Sequence, residues 1–298
     1  MATDRDTLDV PLPTGANIST TSLVTSPPRV LQPQDGHGSK TPIPQMTTSQ
    51  SEYYQEKVAD IVSRATVTDP MNVIFEQDKS GPSTTVTASL LYPAARARVA
   101  AKVKAGSFVA EAANFAAVVC WEPPEAVAPL LSETELGEMA KARPVFARFL
   151  RDQQAFKVAT LGADQPFWNM SLMARDPDRN DKGAVRAVIE PFVTRARQDG
   201  VPIWLCAANE RARDVYAYFG FRVVGVVYST FEAEDDEGDK GDLQEKKEEE
   251  EEKKKKKKKE KGVPTWCMCC NWPVEPVREQ EQEHGSESES GTGTGHGL

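Results

Sequence analysis

The sequence predicts a single α/β domain whose mixed, mainly antiparallel sheet is flanked by helices. Three observations predict it. Short apolar runs of strand length, such as Val118-Val119-Cys120 and Ile203-Trp204-Leu205-Cys206, alternate with longer stretches of helical periodicity. Two short runs, SFVAEA and AAVVCWEP, are separated only by Ala113-Asn114-Phe115, the spacing of an antiparallel hairpin. The stretch from Phe167 to Gly225 reads without a break as strand, tight loop, amphipathic helix, strand, short helix, strand.

Residues 1–50 are rich in Pro, Ser, Thr and Gly and poor in apolar side chains. They cannot offset the entropy of ordering, so a disordered tail is expected, with order beginning near Ser51. Tyr54, Val58, Ile61 and Val62 then fall on one helical face, and Asp69-Pro70 stops that helix. A short apolar piece, MNVIF, precedes a polar break at QDKSGPSTT. The alanine-rich run from Leu90 to Lys104 predicts a helix closed by Gly106. The hairpin follows, and Pro123-Pro124 ends its second strand, whose unbroken apolar run predicts a central position.

Residues 125–156 read as helical, broken at Pro144, with Phe146, Phe149 and Leu150 on the apolar side. The loop TLGADQP leads to a strand, Phe167 to Ala174, that ends at Asp176-Pro177. Val185, Val188, Ile189, Phe192 and Val193 give the stripe of a helix from Ala184 to Asp199, capped by Gly200. After the strand from Ile203 come a short helix ending at Gly220 and a strand from Phe221 to Tyr228. A charged block, 232–262, holds Glu248–Glu252 followed by Lys253–Lys259, and VPTWCMCCNWP then returns to strand character. The block thus lies between two strands, where a hairpin loop takes an insertion at small entropic cost. The polar tail from 275 to 298 is expected to be disordered.

The formal net charge of -9 disfavours a general nucleic-acid surface. No run of apolar residues is long enough to span a membrane, and the N-terminus has no signal-peptide core. Five cysteines without that signal point to reduced thiols and an intracellular, cytoplasmic protein. Cys267-x-Cys269-Cys270 lacks the second pair or histidine that a zinc site needs and reads as strand, so no metal is expected. The three histidines, His37, His284 and His296, all lie in the expected tails. That removes histidine-based triads and leaves carboxylates, tyrosine, backbone amides or water for any catalysis. Glu249–Glu252 pair at i+4 with Lys253–Lys256 on a solvated helix or linker; the alternative reading of Lys253–Lys259 is a nuclear localisation signal. Trp168, Trp204 and Trp266 sit on strands and read as core.

The run Asn209-x-x-Ala212-x-x-x-Tyr216-x-x-x-Gly220-Phe221, with the strand ending in Asp176-Pro177, resembles the GCN5-related N-acetyltransferase (GNAT) superfamily. CWEPP at Cys120–Pro124 and TWCMCCNWP resemble strands of a fungal-type, uncharacterised branch, and the resemblance covers roughly residues 51–231 and 263–274. The family's phosphate signature, Q/R-x-x-G-x-G/A, falls on Asn180-Asp181-Lys182-Gly183-Ala184-Val185. The central glycine is kept; Asn180 and Val185 depart from the pattern.

The resemblance implies a splayed strand pair forming a cleft for acetyl-CoA. Its pyrophosphate would meet the N–H groups of Lys182, Gly183, Ala184 and Val185 at a helix N-terminus, with Asn180 alongside and Arg179 and Lys182 offsetting Asp181. Backbone groups of the strand at Leu172, Met173 and Ala174 would hold the pantetheine arm, and Asn209 would touch it or cap its own helix. Tyr216 would protonate the leaving thiolate while a primary amine attacks the thioester directly. That amine must first lose a proton, costing about 4 to 5 kcal/mol at neutral pH. Glu111 and Glu122, on or beside the hairpin, are the candidate bases, and the residues leave the choice open. The expected activity is acetyl-CoA-dependent N-acetylation of a small-molecule amine. The alternative is a catalytically impaired protein of this fold that binds partners through its charged block; a third reading is a different acyl-CoA.

Overall fold

The computed structural model describes residues 42–231 and 262–273. The expected disorder of 1–41 and of the tail from 275 to 298, the charged block with Lys253–Lys259, and the three histidines fall outside the described residues. In chain order the elements are β1 (Met46–Ser49), α1 (Glu52–Ala65), α2 (Pro70–Ser80), α3 (Ala88–Lys104), β2 (Phe108–Ala112), β3 (Ala117–Glu122), α4 (Glu133–Ala142), α5 (Pro144–Leu161), β4 (Trp168–Arg175), α6 (Ala184–Gln198), β5 (Ile203–Ala207), α7 (Glu210–Tyr218), β6 (Arg222–Ser229) and β7 (Val263–Cys270).

The strands form one seven-stranded sheet in the order β1-β2-β3-β4-β5-β7-β6. Every neighbouring pair is antiparallel except β4 and β5. This is the mixed, mostly antiparallel α/β sheet that the sequence predicts. β6 and β7 pair antiparallel on either side of the charged block, so the block joins two hairpin strands. β3 is buried at every position, as its apolar run requires.

Both faces are covered. On one, α6 lays Ala184, Val188, Ile189 and Phe192 on Trp121, Trp168, Ile203 and Met268. Trp121 stacks on Phe192 at 4.6 Å between ring centroids and donates its indole N–H to the Val188 carbonyl at 3.1 Å. On the other face, a cluster including Val58, Ile61 and Val99 from α1 and α3 covers the β2–β4 half. A second, including Ile74, Phe75, Val145 and Phe149 from α2 and α5, covers the β5–β7 half. The seam between these two helical blocks runs along the β4–β5 boundary.

Two expectations need correction. Order begins before Ser51: β1 pairs with β2 from Met46↔Ala112 to Ser49↔Val109. Its four residues carry no pattern of their own, and their partner lies about sixty residues on. The piece expected as short MNVIF runs on as helix through Ser80, because Asp69 caps it by accepting from Met71 N–H and Pro70 sits at its first turn.

The hairpin turn is built from three consecutive left-handed residues, Ala113, Asn114 and Phe115, with φ of 54°, 53° and 65°. That conformation costs a residue with a Cβ about 1–2 kcal/mol. Glu111 offsets it by accepting the Phe115 N–H at 2.7 Å, and the Phe115 ring packs edge-on against Tyr54 at 5.0 Å.

Candidate functional site

β4 and β5 pair only at Trp168↔Ile203 and Asn169↔Trp204; beyond these the strands diverge. β4 is also irregular on its other edge. Its register with β3 shifts between Val118 and Cys120, leaving Leu172 and Met173 without partners, and Leu172 has φ of 49°. A bulge of this kind breaks the ladder and turns main-chain groups away from it. The strand expected to hold an extended ligand by its backbone thus carries unpaired positions at Leu172 and Met173, while Ala174 pairs with Val118.

The loop after β4 leads to the N-terminus of α6. Asp176 is clamped to α1 by Arg64 at 3.1 Å; burial pushes its carboxyl up, but the Arg64 bond, the Asp178 N–H and the charges of Arg64 and Arg179 together hold it below the usual range. Arg179 forks onto Asp181 at 3.0 and 2.9 Å and donates to the Asn114 carbonyl. Asp181 is therefore neutralised from its own side of the loop. Arg175 holds the Asn180 side-chain oxygen. Gly183, at φ of +83°, is the N-cap of α6, and no side chain caps it. The first helical N–H groups have no intrahelical acceptor, so the positive end of α6 is left open. A Cβ at Gly183 would stand 3.1 Å from Pro44 Cδ. Val185 packs its half-buried side chain against the core under α6 and also lines the groove in front of it.

That groove, of about 780 Å³, lies between the start of α6 and α7. It is lined by Gly183, Val185 and Arg186 of the α6 start and by Glu210, Arg211, Asp214, Val215, Tyr218 and Phe219 of α7 and its C-terminal end. Arg186 is tied to Glu190 at 2.7 Å and Asp214 to Arg213 at 2.8 Å. Arg211 is exposed and has no hydrogen bond or ion pair among the described residues.

Asn209 caps α7 by accepting from Ala212 N–H at 2.9 Å, and its amide donates to Asp69 at 3.2 Å. Tyr216 is buried, and its phenol makes no side-chain hydrogen bond among the described residues. Burial, with Asp69 nearby, pushes that phenol well above its usual value. It stays protonated and available as a donor. Burial also raises the Asp69 carboxyl, against the opposing bonds from Met71 and Asn209.

The two glutamates part company. Glu111 spends one oxygen on Phe115 N–H and the other on the Thr47 hydroxyl. It is built into the turn. Glu122 lies opposite Asn169, at the last β4 position before the strands diverge. It accepts from Asn169 Nδ2 at 2.6 Å and from Lys102 Nζ at 2.7 Å. Across the seam, Lys157 of α5 sits over the Phe167 and Trp204 rings at 5.1 and 5.9 Å, where burial lowers its pKa.

Lys102, Asp69, Lys157 and Arg211 escaped the sequence reading. Lys102 and Lys157 are ordinary helical lysines in sequence, and Asp69 shows there only as a helix stop. Arg211 occupies an unspecified position of the Asn209–Phe221 motif. Among the described residues no helix is long and apolar enough to cross a membrane, and no three His, Cys, Asp or Glu are grouped to hold a metal ion. All five cysteines are free.

No protein-family model matches the chain. Over 91 residues it is 32% identical to increased recombination centers protein 11 of Saccharomyces cerevisiae, a match covering 28% of this chain and 57% of the yeast protein. The chain thus spans just over half the length of that curated relative. Among solved structures it is similar to a histone acetyltransferase HPA2-related acetyltransferase of Corynebacterium glutamicum, with 15% identity, 76% of this chain and 96% of that one covered, and a TM-score of 0.46. It is also similar to arylalkylamine N-acetyltransferase 2 of Aedes aegypti, with 14% identity, coverage of 75% and 97%, and a TM-score of 0.47. The polyamine N-acetyltransferase of Drosophila melanogaster gives 10% identity, coverage of 76% and 99%, and a TM-score of 0.47. Likenesses at this level decide nothing about the reaction, which must be argued from the site.

Proposed function

We propose that the chain is an acetyl-CoA-dependent N-acetyltransferase that acylates a primary amine of a small molecule. One observation carries this reading. The uncapped N-terminus of α6, with Gly183 in the left-handed conformation, opens on a groove between α6 and α7, the helices that follow β4 and β5, and those two strands separate after Asn169↔Trp204. An extended thioester with a pyrophosphate at one end needs both parts: N–H donors for the anion and a gap between strands for the arm. Lys182, Gly183, Ala184 and Val185 would meet the pyrophosphate, with Arg211 as a free cation for further phosphate charge. Leu172, Met173 and Ala174 would align the arm along β4. Tyr216 would give its proton to the departing thiolate, and Glu122 would take the proton of the amine. Glu111, whose two oxygens both support the hairpin, is left out of the chemistry.

The test is a titration of acetyl-CoA by calorimetry or thermal shift, followed by a panel of amines assayed for CoA release. Binding with release of CoA on one class of amine is expected. No thermal shift at millimolar acetyl-CoA overturns the reading. Val185 on the groove wall and the occupied Asn180 oxygen favour a second reading, a protein of this fold that binds partners without transfer chemistry. Acetyl-CoA binding without CoA release across the panel would support it.

A further inference from the structure

Glu122 on β3, Asn169 on β4 and Trp204 on β5 stand in one row across three strands, at the last position where β4 and β5 pair. Their strand neighbours Trp121, Trp168 and Ile203 point to the α6 face, so the row itself looks toward the two helical blocks. It is two strand spacings long, about 10 Å along the backbone. An acid stands at one end and an aromatic ring at the other.

Each helical block adds a lysine to this row. Lys102 of α3 meets Glu122 at 2.7 Å, and Lys157 of α5 lies over the Phe167 and Trp204 rings. Lys157 is half-buried and makes no hydrogen bond or ion pair among the described residues. The titratable groups that act on it are Glu122, Lys102 and the thiols of Cys206 and Cys267, and burial disfavours its cation. The one carboxylate in that set is already held by the other lysine. Ring faces return only part of the hydration that a buried ammonium loses, so Lys157 is a place for an arriving anion.

Glu122 is open in the complementary sense. Asn169 and Lys102 both meet its Oε1, and Oε2 makes no hydrogen bond among the described residues. An ammonium can therefore reach Oε2 without displacing either partner.

We infer that the acceptor is an amino acid, a primary amine that carries one carboxylate, with its amino end at Glu122 and its carboxylate at Lys157. This inference rests on the acetyl-CoA reading above and narrows its acceptor. One surplus cation matches a single negative charge. A diamine would instead set its second ammonium beside Lys157, where like charges repel. The transfer itself is the direct one. The amine nitrogen bonds the acetyl carbon, the bond from that carbon to the CoA sulfur breaks, the amine proton passes to Glu122, and the Tyr216 proton goes to the departing thiolate.

The experiment uses the full chain with saturating acetyl-CoA and follows CoA release over acceptors paired so that they differ by one carboxylate. The pairs are glycine with methylamine, γ-aminobutyrate with propylamine, and phenylalanine with phenylethylamine; putrescine serves as the diamine. The best acceptor is expected to be the amino acid of its pair, with kcat/KM about tenfold or more above its partner. Lys157→Gln should collapse that ratio through a raised KM for the amino acid rather than a lowered kcat. Lys157→Arg should restore most of it, and Lys157→Glu should turn the preference toward putrescine. If the variants do not fold, the ratio and the rank of putrescine in the native chain decide. A best acceptor without the carboxylate, or a ratio that Lys157→Gln leaves in place, overturns the inference and leaves the acetyltransferase reading standing. No acetyl-CoA binding, or binding without CoA release on any acceptor, overturns both.

Discussion

The amide of Asn209 donates to the carboxylate of Asp69 at 3.2 Å, so the N-cap of α7 is tied to the N-cap of α2 across 140 residues of chain. Each residue also caps its own helix. Asn209→Ala removes the α7 cap and strips a donor from a buried carboxylate. A loss of about 1–3 kcal/mol in chemical denaturation is expected, above what an isolated cap gives.

The same pair carries a pH signature. Burial raises the folded-state pKa of Asp69 above its unfolded value. The stability linked to this group is therefore fully present below the unfolded carboxylate range and is lost as pH rises through the folded pKa. The stability of the native chain minus that of Asp69→Asn should shrink as pH is raised from about 3.5 to 7. Denaturation midpoints across that range check it, and a difference that grows with pH contradicts it.

Glu111 and Glu122 should separate cleanly by substitution. Glu111→Gln disturbs the support of three left-handed residues and is expected to cost about 1–3 kcal/mol of stability, with kcat of the folded fraction unchanged. Glu122→Gln should lower kcat of the folded fraction by about 10²–10⁴-fold, and should also lower the melting temperature because it removes the buried partner of Lys102. Steady-state kinetics beside thermal melts measure both.

At the helix N-terminus, Gly183→Ala combines a left-handed backbone with a 3.1 Å approach to Pro44. About 1–2 kcal/mol of destabilisation is expected, together with weaker acetyl-CoA binding. Val185→Ala tests the opposite sense. It opens the groove wall and should tighten acetyl-CoA binding, read as a lower Kd by calorimetry.

Tyr216→Phe should lower kcat with little change in stability, since the phenol makes no side-chain hydrogen bond among the described residues. Its raised pKa has a direct consequence. The acid form persists as pH rises, so the pH–rate profile should show no falling limb from this group below about pH 10. Wild-type turnover by Tyr216→Phe would remove Tyr216 from the acid role.

Much of the fold is legible in the chain because its signals are local. Gly183 opens a helix with a clear apolar stripe, Asn209 caps another, and Ala113–Phe115 sits between two apolar runs of strand length. β1 was not legible: four residues pair with a strand some sixty positions on, and nothing in MTTS specifies that register. Of the candidate site, the Asn209–Phe221 run and Gly183 were readable. The ranking of the two glutamates was not, since each is a single acidic residue near a hairpin.

By itself, then, the sequence determined most of the helices, the hairpin and the strands after β1, through periodicity, caps and turn residues acting within a few positions. Only the tertiary structure decided what those elements bring together. Sheet register sets Glu122 against Asn169 and Lys102, and spends Glu111 on Phe115. β4 parts from β5 after Asn169↔Trp204, and Lys157 of α5 comes to lie over the Trp204 ring. These are relations between strands and helices far apart in the chain. They depend on register and divergence, which no local pattern encodes.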